Sequence, residues 1–164
     1  MTRGELESAI TMAVEVGRMV AARTAKDAFK ATERRLCAIP DLREKLKDDE
    51  EELEKARRNG LKERSYSVPR FGVKLPPEEI MKAVIMDLEA SIAATKHELK
   101  AIEKALTSIQ DDPYYLAVDG KYIQQMTDEE IAEKIHCDPV LVWRNRRSLV
   151  QRVAVRLYGA CAVK

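Results

Sequence analysis

The chain has 164 residues, of which 35% are charged and only 5% aromatic, and its formal net charge is +1. Globular domains carry about 25% charged residues, so this composition favours long solvated helices over a sheet-built enzyme core. No apolar run approaches the roughly 20 residues that span a bilayer, and Glu5 and Glu7 occupy the region where a signal peptide is apolar. These features predict an all-α cytoplasmic protein without a membrane partner.

The N-terminal part of the chain is predicted to form two helices. Residues 4–37 show one helical face with a period of three and four. Its members are Leu6, Ile10, Ala13, Gly17, Val20 and Thr24. Pro40 interrupts this pattern, and Ile39 before it is expected to be extended. A second helix is predicted from Asp41 to Arg58, where Asn59-Gly60 provides a stop.

The longest regular pattern lies in residues 77–109, after a loop predicted for residues 61–76. Its apolar positions alternate by four and three as in a coiled coil. This heptad seam consists of Leu88, Ile92, Thr95, Leu99, Ile102, Leu106 and Ile109. A helix of this length, about 50 Å, cannot bury the seam alone. Its partner is predicted to be the N-terminal helices, folded back on it as an antiparallel hairpin, or the same helix of another subunit in a homo-oligomer, and the first does not exclude the second. Residues 1–110 are therefore predicted to be a helical hairpin or coiled-coil region.

The positive charge is concentrated at the C-terminal end. Residues 139–164 contain six Lys or Arg and no Asp or Glu, while the first 138 residues have a net charge of −5. This distribution is typical of a nucleic-acid contact confined to one element. A basic tail that aids solubility has the same pattern.

Residues 111–164 are predicted to form a helix-turn-helix domain. Asp112 can cap a short helix beginning at Pro113, and Asp119-Gly120 is predicted to be a turn. A capping box opens the first helix of the motif, and Asp138 with Pro139 can start the second. In the turn, His136 replaces the usual glycine, so it has to adopt a left-handed conformation. The predicted scaffold residues are Thr127, Glu130, Ile131, Ala132, Ile135 and Val142, with Cys137 completing their small core.

The outward face of the second helix is the predicted DNA contact. Arg144 and Arg147 are three positions apart and can reach guanine edges or phosphates. The complete predicted set is Val140, Leu141, Trp143, Arg144 and Arg147. Arg152 and Arg156, further along, are expected to touch only the DNA backbone or solvent. The alternative is an ordinary two-helix corner, with Trp143 and Val150 in a core.

Several short motifs in this region resemble a known family. They are Asp112-Pro113-Tyr114-Tyr115, Glu130-Ile131-Ala132, Arg144-Asn145-Arg146 and Leu157-Tyr158-Gly159. Through them, residues 112–159 resemble the C-terminal domain of phage-encoded transcriptional activators of the RinA/ArpU type, and residues 33–45 are similar to members with longer N-termini. The resemblance implies a helix-turn-helix similar to region four of bacterial sigma factors, activation of late phage genes, and no catalytic residues. Members usually carry TVYR where this chain has Leu141-Val142-Trp143-Arg144, which leaves the contacted bases open.

No enzymatic activity, cofactor or metal is predicted. His97 and His136 are the only histidines, and neither has metal-ligand spacing; His97 is expected to be solvated. There is no glycine-rich phosphate loop and no GxSxG motif. The three cysteines are far apart and fit reduced thiols in a cytoplasm.

The sequence thus predicts a sequence-specific transcriptional regulator whose partner is double-stranded DNA, with RNA polymerase as a further candidate partner. Two alternatives stay open. One is a small terminase subunit, which also joins a helix-turn-helix to oligomerising helices and binds phage DNA. The other is a helical adaptor that binds a protein, with the basic end merely solvated.

Overall fold

A computed structural model describes residues 3–24, 27–59 and 76–160, and all regular secondary structure within these ranges is helical. The elements are α1 (Arg3–Thr24), α2 (Ala28–Cys37), α3 (Ile39–Asn59), α4 (Pro77–Thr107), α5 (Leu116–Val118), a π-helical turn (Asp119–Ile123), α6 (Asp128–Ile135) and α7 (Pro139–Tyr158). The all-α prediction is confirmed. None of the helices in these ranges has the length and apolar character of a membrane span. The loop predicted at 61–76 lies, apart from Pro76, outside the described residues.

The prediction of one helix over residues 4–37 is wrong, because α2 has its own start. Asp27 is extended, with φ −148° and ψ 94°. Its side chain accepts a hydrogen bond from the backbone N–H of Lys30 at 3.2 Å. A short acidic side chain that caps the following turn competes with continuation of the preceding helix.

The expectation that Ile39 is extended is also wrong. α3 begins at Ile39, and only Ala38 separates it from α2. Pro40 lies in the first turn of α3, where a helix needs no N–H donor, so the proline is tolerated there. Ile39 is 1% exposed and belongs to the main core. We attribute its helical conformation to this burial, which outweighs the local preference of a residue before proline.

α4 buries most of the heptad seam within the chain. Five of its seam residues are buried: Ile92, Thr95, Leu99, Ile102 and Leu106. Ile109 is buried just beyond the helix, and Leu88 is half-buried. Because α3 packs along α4, a homo-oligomer through the same residues requires these helices to separate first. His97, expected to be solvated, is half-buried, and its Nε2 is buried.

Ion pairs show the relative direction of α3 and α4. The pairs are Arg43–Glu103 at 3.3 Å, Lys96–Glu50 at 2.6 Å and Arg57–Glu89 at 2.5 Å. The α3 numbers rise as the α4 numbers fall, so the two helices are antiparallel. Exposed ion pairs each contribute about 0–1 kcal/mol, so the apolar seam supplies most of the stability.

The main core continues into the C-terminal region. Buried residues of α2, α3 and α4 form one cluster with Val118, Tyr122 and the inward face of α7. The α7 members are Leu149, Val150, Val153 and Leu157. α7 is therefore held by the long helices as well as by α6.

The segment between α4 and α6 differs from the prediction. Asp112 accepts a hydrogen bond from the backbone N–H of Tyr114 at 3.0 Å, but turns follow it and the short helix α5 begins only at Leu116. Asp119 and Gly120 lie in the π-helical turn, not in a reverse turn. A Cβ at position 120 would stand 3.0 Å from Cγ1 of Ile131, which is fully buried in α6. Glycine at this position thus allows the close approach of α6.

Candidate nucleic-acid interface

α6 begins with the predicted capping box. The Thr127 hydroxyl accepts from the backbone N–H of Glu130 at 3.2 Å, and the Glu130 carboxylate accepts from the backbone N–H of Thr127 at 2.7 Å. The hydrogen bonds that the carboxylate accepts from the backbone N–H and the hydroxyl of Thr127 lower the pKa of Glu130 from its ordinary value. The box satisfies backbone donors that the first turn of a helix leaves free, and so defines where α6 starts.

The turn into α7 has the predicted geometry. His136 is left-handed, with φ 55° and ψ 48°. Asp138 is extended, and its Oδ1 accepts from the backbone N–H of Val140 at 2.7 Å. Pro139 occupies the first turn of α7. The turn residues therefore set the end of α6 and the start of α7 with little dependence on the rest of the fold.

Because the left-handed conformation strains a residue with a Cβ, His136→Gly should raise the free energy of unfolding by about 1 kcal/mol. His136→Val should lower it, since a β-branched residue is disfavoured there more strongly. Urea unfolding of the two variants beside the parent measures both changes. A destabilised glycine variant would show that the His136 side chain contributes more than the strain costs.

A small core joins α6 to α7. Ile131 and Val142 are fully buried, Ala132 is 4% exposed, and Ile135 and Cys137 pack around them. α5 adds Ala117 to this core. The predicted scaffold residues therefore lie together.

Arg146 forms a second connection between α6 and α7, which the sequence analysis missed. It is 8% exposed, and its Nη1 and Nη2 donate to Oδ1 and Oδ2 of Asp128 at 2.6 and 3.0 Å. Lys121 Nζ lies 3.3 Å from the same carboxylate. The hydrogen bonds from Arg146 are the largest cause of the lowered pKa of Asp128. Helical spacing was the available signal, because residue 146 lies four positions after Val142 and three before Leu149 on the inward face.

The five residues predicted to contact DNA are all on the surface. Val140 is 60% exposed, Leu141 39% and Trp143 50%, and Arg144 and Arg147 are also exposed. The alternative of a corner with Trp143 in a core does not hold for that residue, although Val150 is fully buried. The role of the five predicted residues in DNA binding stays a prediction.

Arg144 lies at the centre of the exposed face of α7. Ser148 and Gln151 follow it at four and seven positions, and both are exposed. Within the described ranges, the Arg144 side chain has no hydrogen bond or ion pair. The sequence analysis omitted Ser148 and Gln151, although the same spacing indicated them. Arginine can donate two hydrogen bonds to guanine and glutamine can pair with adenine, so this line of side chains has groups suited to base edges.

Arg147 lies on the flank of this face that borders α2. Its guanidinium carbon is 5.8 Å from the ring centroid of Phe29 and 5.8 Å from that of Trp143. The side chain thus lies near two aromatic rings from different helices.

The positive charge of the C-terminal end is partly neutralised in the fold. Arg146 is paired with Asp128, and Arg152, expected to face DNA backbone or solvent, has Nη1 3.0 Å from Oδ2 of Asp112. Lys164 lies outside the described residues. The exposed arginines of α7 without a carboxylate partner in the described ranges are Arg144, Arg147 and Arg156. The number of basic residues in 139–164 therefore overstates the positive charge that is available to bind a polyanion.

Comparison of the chain with protein-family models, curated proteins and solved structures gave no match. The resemblance of residues 112–159 to phage activators therefore stays a prediction based on the motifs themselves.

Proposed function

We propose that α6 and α7 form a helix-turn-helix that binds double-stranded DNA in a sequence-specific manner, and that the chain is a transcriptional regulator. The observation that carries the proposal is the exposed face of α7, where an unpaired arginine is aligned with two polar side chains. On the opposite face of α7, the small core and the Arg146–Asp128 pair keep α7 in a fixed orientation to α6.

The mechanism follows from this geometry. In a helix-turn-helix the second helix enters the major groove and its N-terminal residues contact base edges. In that pose Arg144 donates to guanine O6 and N7, and Val140, about one turn before it, supplies apolar contact for a thymine methyl group. Ser148 and Gln151 extend the contact along the groove.

The regulatory role is proposed from the resemblance in the sequence. The resemblance to activators of the RinA/ArpU type implies that this protein activates phage or prophage late genes. RNA polymerase is then its second partner. The support is the set of motifs in residues 112–159, together with a helix pair of the kind that such a domain uses.

Selection of bound sequences from random duplex DNA tests the proposal. We expect enrichment of one motif, and a binding constant for that motif that falls steeply with salt. Measuring the mass of the complex on the selected duplex gives the number of chains bound. Failure to enrich any motif, with no salt-dependent binding to duplex DNA, would refute the proposed function.

A protein-binding adaptor is the second candidate. The observation that favours it is the pair of exposed apolar side chains Val140 and Trp143, three positions apart on a helix where two arginines are neutralised. Exposed apolar residues that cluster mark contact surfaces of several kinds. An adaptor would bind a protein through α7 without salt-sensitive affinity for DNA, so the salt titration separates the two candidates.

A further inference from the structure

The two exposed arginines at the start of α7 have different surroundings. Arg144 is at the centre of the outward face, whereas Arg147 is rotated from it by about 60° around the helix, towards α2. Arg144 is unpaired in the described parts of the chain, while Arg147 has the rings of Phe29 and Trp143 at 5.8 Å. The same residue type thus occupies two distinct sites on one helix.

The contact with two rings restricts the Arg147 guanidinium. Phe29 is half-buried and packs against the main core, so its ring is held by the fold. A guanidinium that stacks on aromatic rings keeps its N–H donors, which lie in its own plane, free for a further acceptor. The two rings therefore restrict the guanidinium before any ligand binds, which lowers the entropy cost of binding.

The nearby acidic group does not neutralise Arg147. Phe29, Trp143 and Arg147 line a pocket of about 200 Å³ together with Glu33, Tyr122 and Arg146. Glu33 accepts a hydrogen bond from the Tyr122 hydroxyl at 2.7 Å, and no ion pair joins it to Arg147. Arg147 therefore keeps a charge that can attract an anion.

We propose that Arg147 binds a phosphate of the DNA backbone, that Phe29 of α2 positions it for this contact, and that it does not contact a base. The inference rests on the proposed function. When the central line of α7 lies over the base edges, a residue on the flank faces the wall of the groove, where the sugar-phosphate backbone runs. A planar, pre-ordered guanidinium suits bidentate binding of a phosphate. α2 is thereby part of the DNA interface through a residue that need not touch DNA.

The experiment substitutes Arg147 and Phe29, singly and together, and measures DNA binding in salt titrations on the selected duplex and on a random duplex. Arg147→Ala should weaken binding to both duplexes by the same factor, about five- to tenfold at physiological salt, and lower the salt slope by about one. Phe29→Leu should weaken binding about threefold in the parent and not at all in the Arg147→Ala background. Phe29→Tyr keeps a ring and should bind like the parent. Circular dichroism melting of each variant establishes that it is folded.

A second readout tests the arrangement of rings and guanidinium without DNA. Trp143 is the single tryptophan of the chain, so emission excited at a wavelength that tyrosine does not absorb reports on this cluster alone. Arg147→Ala and Phe29→Leu should each change the emission of the free protein, and Phe29→Tyr should leave it unchanged.

The outcomes separate this inference from the function on which it rests. A parent protein that binds no duplex refutes both. If the parent binds but Arg147→Ala lowers affinity only for the selected duplex, Arg147 contacts a base and the inference is wrong. If Phe29→Leu weakens binding equally with and without Arg147, Phe29 does not act through Arg147 and its positioning role is refuted.

Discussion

Asp128→Ala is expected to lower the free energy of unfolding by about 3 kcal/mol. The substitution leaves the guanidinium of Arg146, a residue that is 8% exposed, without its bidentate acceptor. Removing one partner of a buried pair costs more than the pair contributes, because the remaining charge stays desolvated. Since this pair joins α6 to α7, we also expect the variant to lose DNA affinity in proportion to the loss of folded α6.

Urea unfolding measures the change, and the chain provides a matched control. Asp112→Ala removes another aspartate that binds an arginine of α7, but Arg152 in that pair has a side chain 53% exposed. The exposed ion pair contributes about 0–1 kcal/mol and the hydrogen bond from the Tyr114 backbone N–H about 1 kcal/mol, so the control should lose less stability than Asp128→Ala. The double substitution Asp128→Ala with Arg146→Met should recover much of the stability, because no buried charge is left. Equal losses for Asp128→Ala and Asp112→Ala would show that the Arg146 pair is not buried in solution.

The pH dependence of the same pair gives an independent check. The pKa of Asp128 is lowered in the folded state, chiefly by the hydrogen bonds from Arg146. The contribution of this carboxylate to the free energy of unfolding is therefore complete above its unfolded pKa of about 4. It is lost as the pH falls through the lower pKa of the folded state. The difference in stability between the parent and Asp128→Ala should be constant from pH 6 to 8 and shrink under acid conditions. A difference that grows as the pH falls would contradict the assignment.

The starts of α6 and α7 could be predicted from the sequence because their determinants are local. Thr127 and Glu130 cap each other across three residues, and Asp138 caps the turn that follows it. His136 could likewise be placed in the turn, since the conformation needed there depends on neighbouring residues. Such contacts form within one or two turns of chain, so the order of residue types is enough to indicate them.

The role of Arg146 could not be predicted from the charge count. Its partner Asp128 is 18 residues away, in another helix, and only the folded arrangement brings them within hydrogen-bond distance. Arg152 and Asp112 are 40 residues apart. The break before α2 was missed for a different reason. A helical period continues on both sides of Asp27, and periodicity does not detect a cap within a run of helix-forming residues.

Arg144→Ala is the substitution with the largest expected effect on the proposed function. Because the Arg144 guanidinium is exposed and unpaired within the described ranges, removing it should leave the stability of the fold unchanged. If it contacts guanine, the variant should lose about 1–3 kcal/mol of binding free energy on the selected duplex and little on random DNA. In a repeated selection, its preference should relax at one position of the motif.

Arg156→Ala is the matched control, since it removes the same exposed group three turns further along α7. A helix leaves the major groove over that distance, so Arg156 can contact only backbone or solvent. The control should weaken binding to selected and random duplexes equally or not at all, and lower the salt slope by at most about one. Equal losses on both duplexes for Arg144→Ala would make Arg144 a phosphate contact and transfer base recognition to Ser148 and Gln151. No effect of either substitution on either duplex would refute a DNA-binding α7 and favour the adaptor.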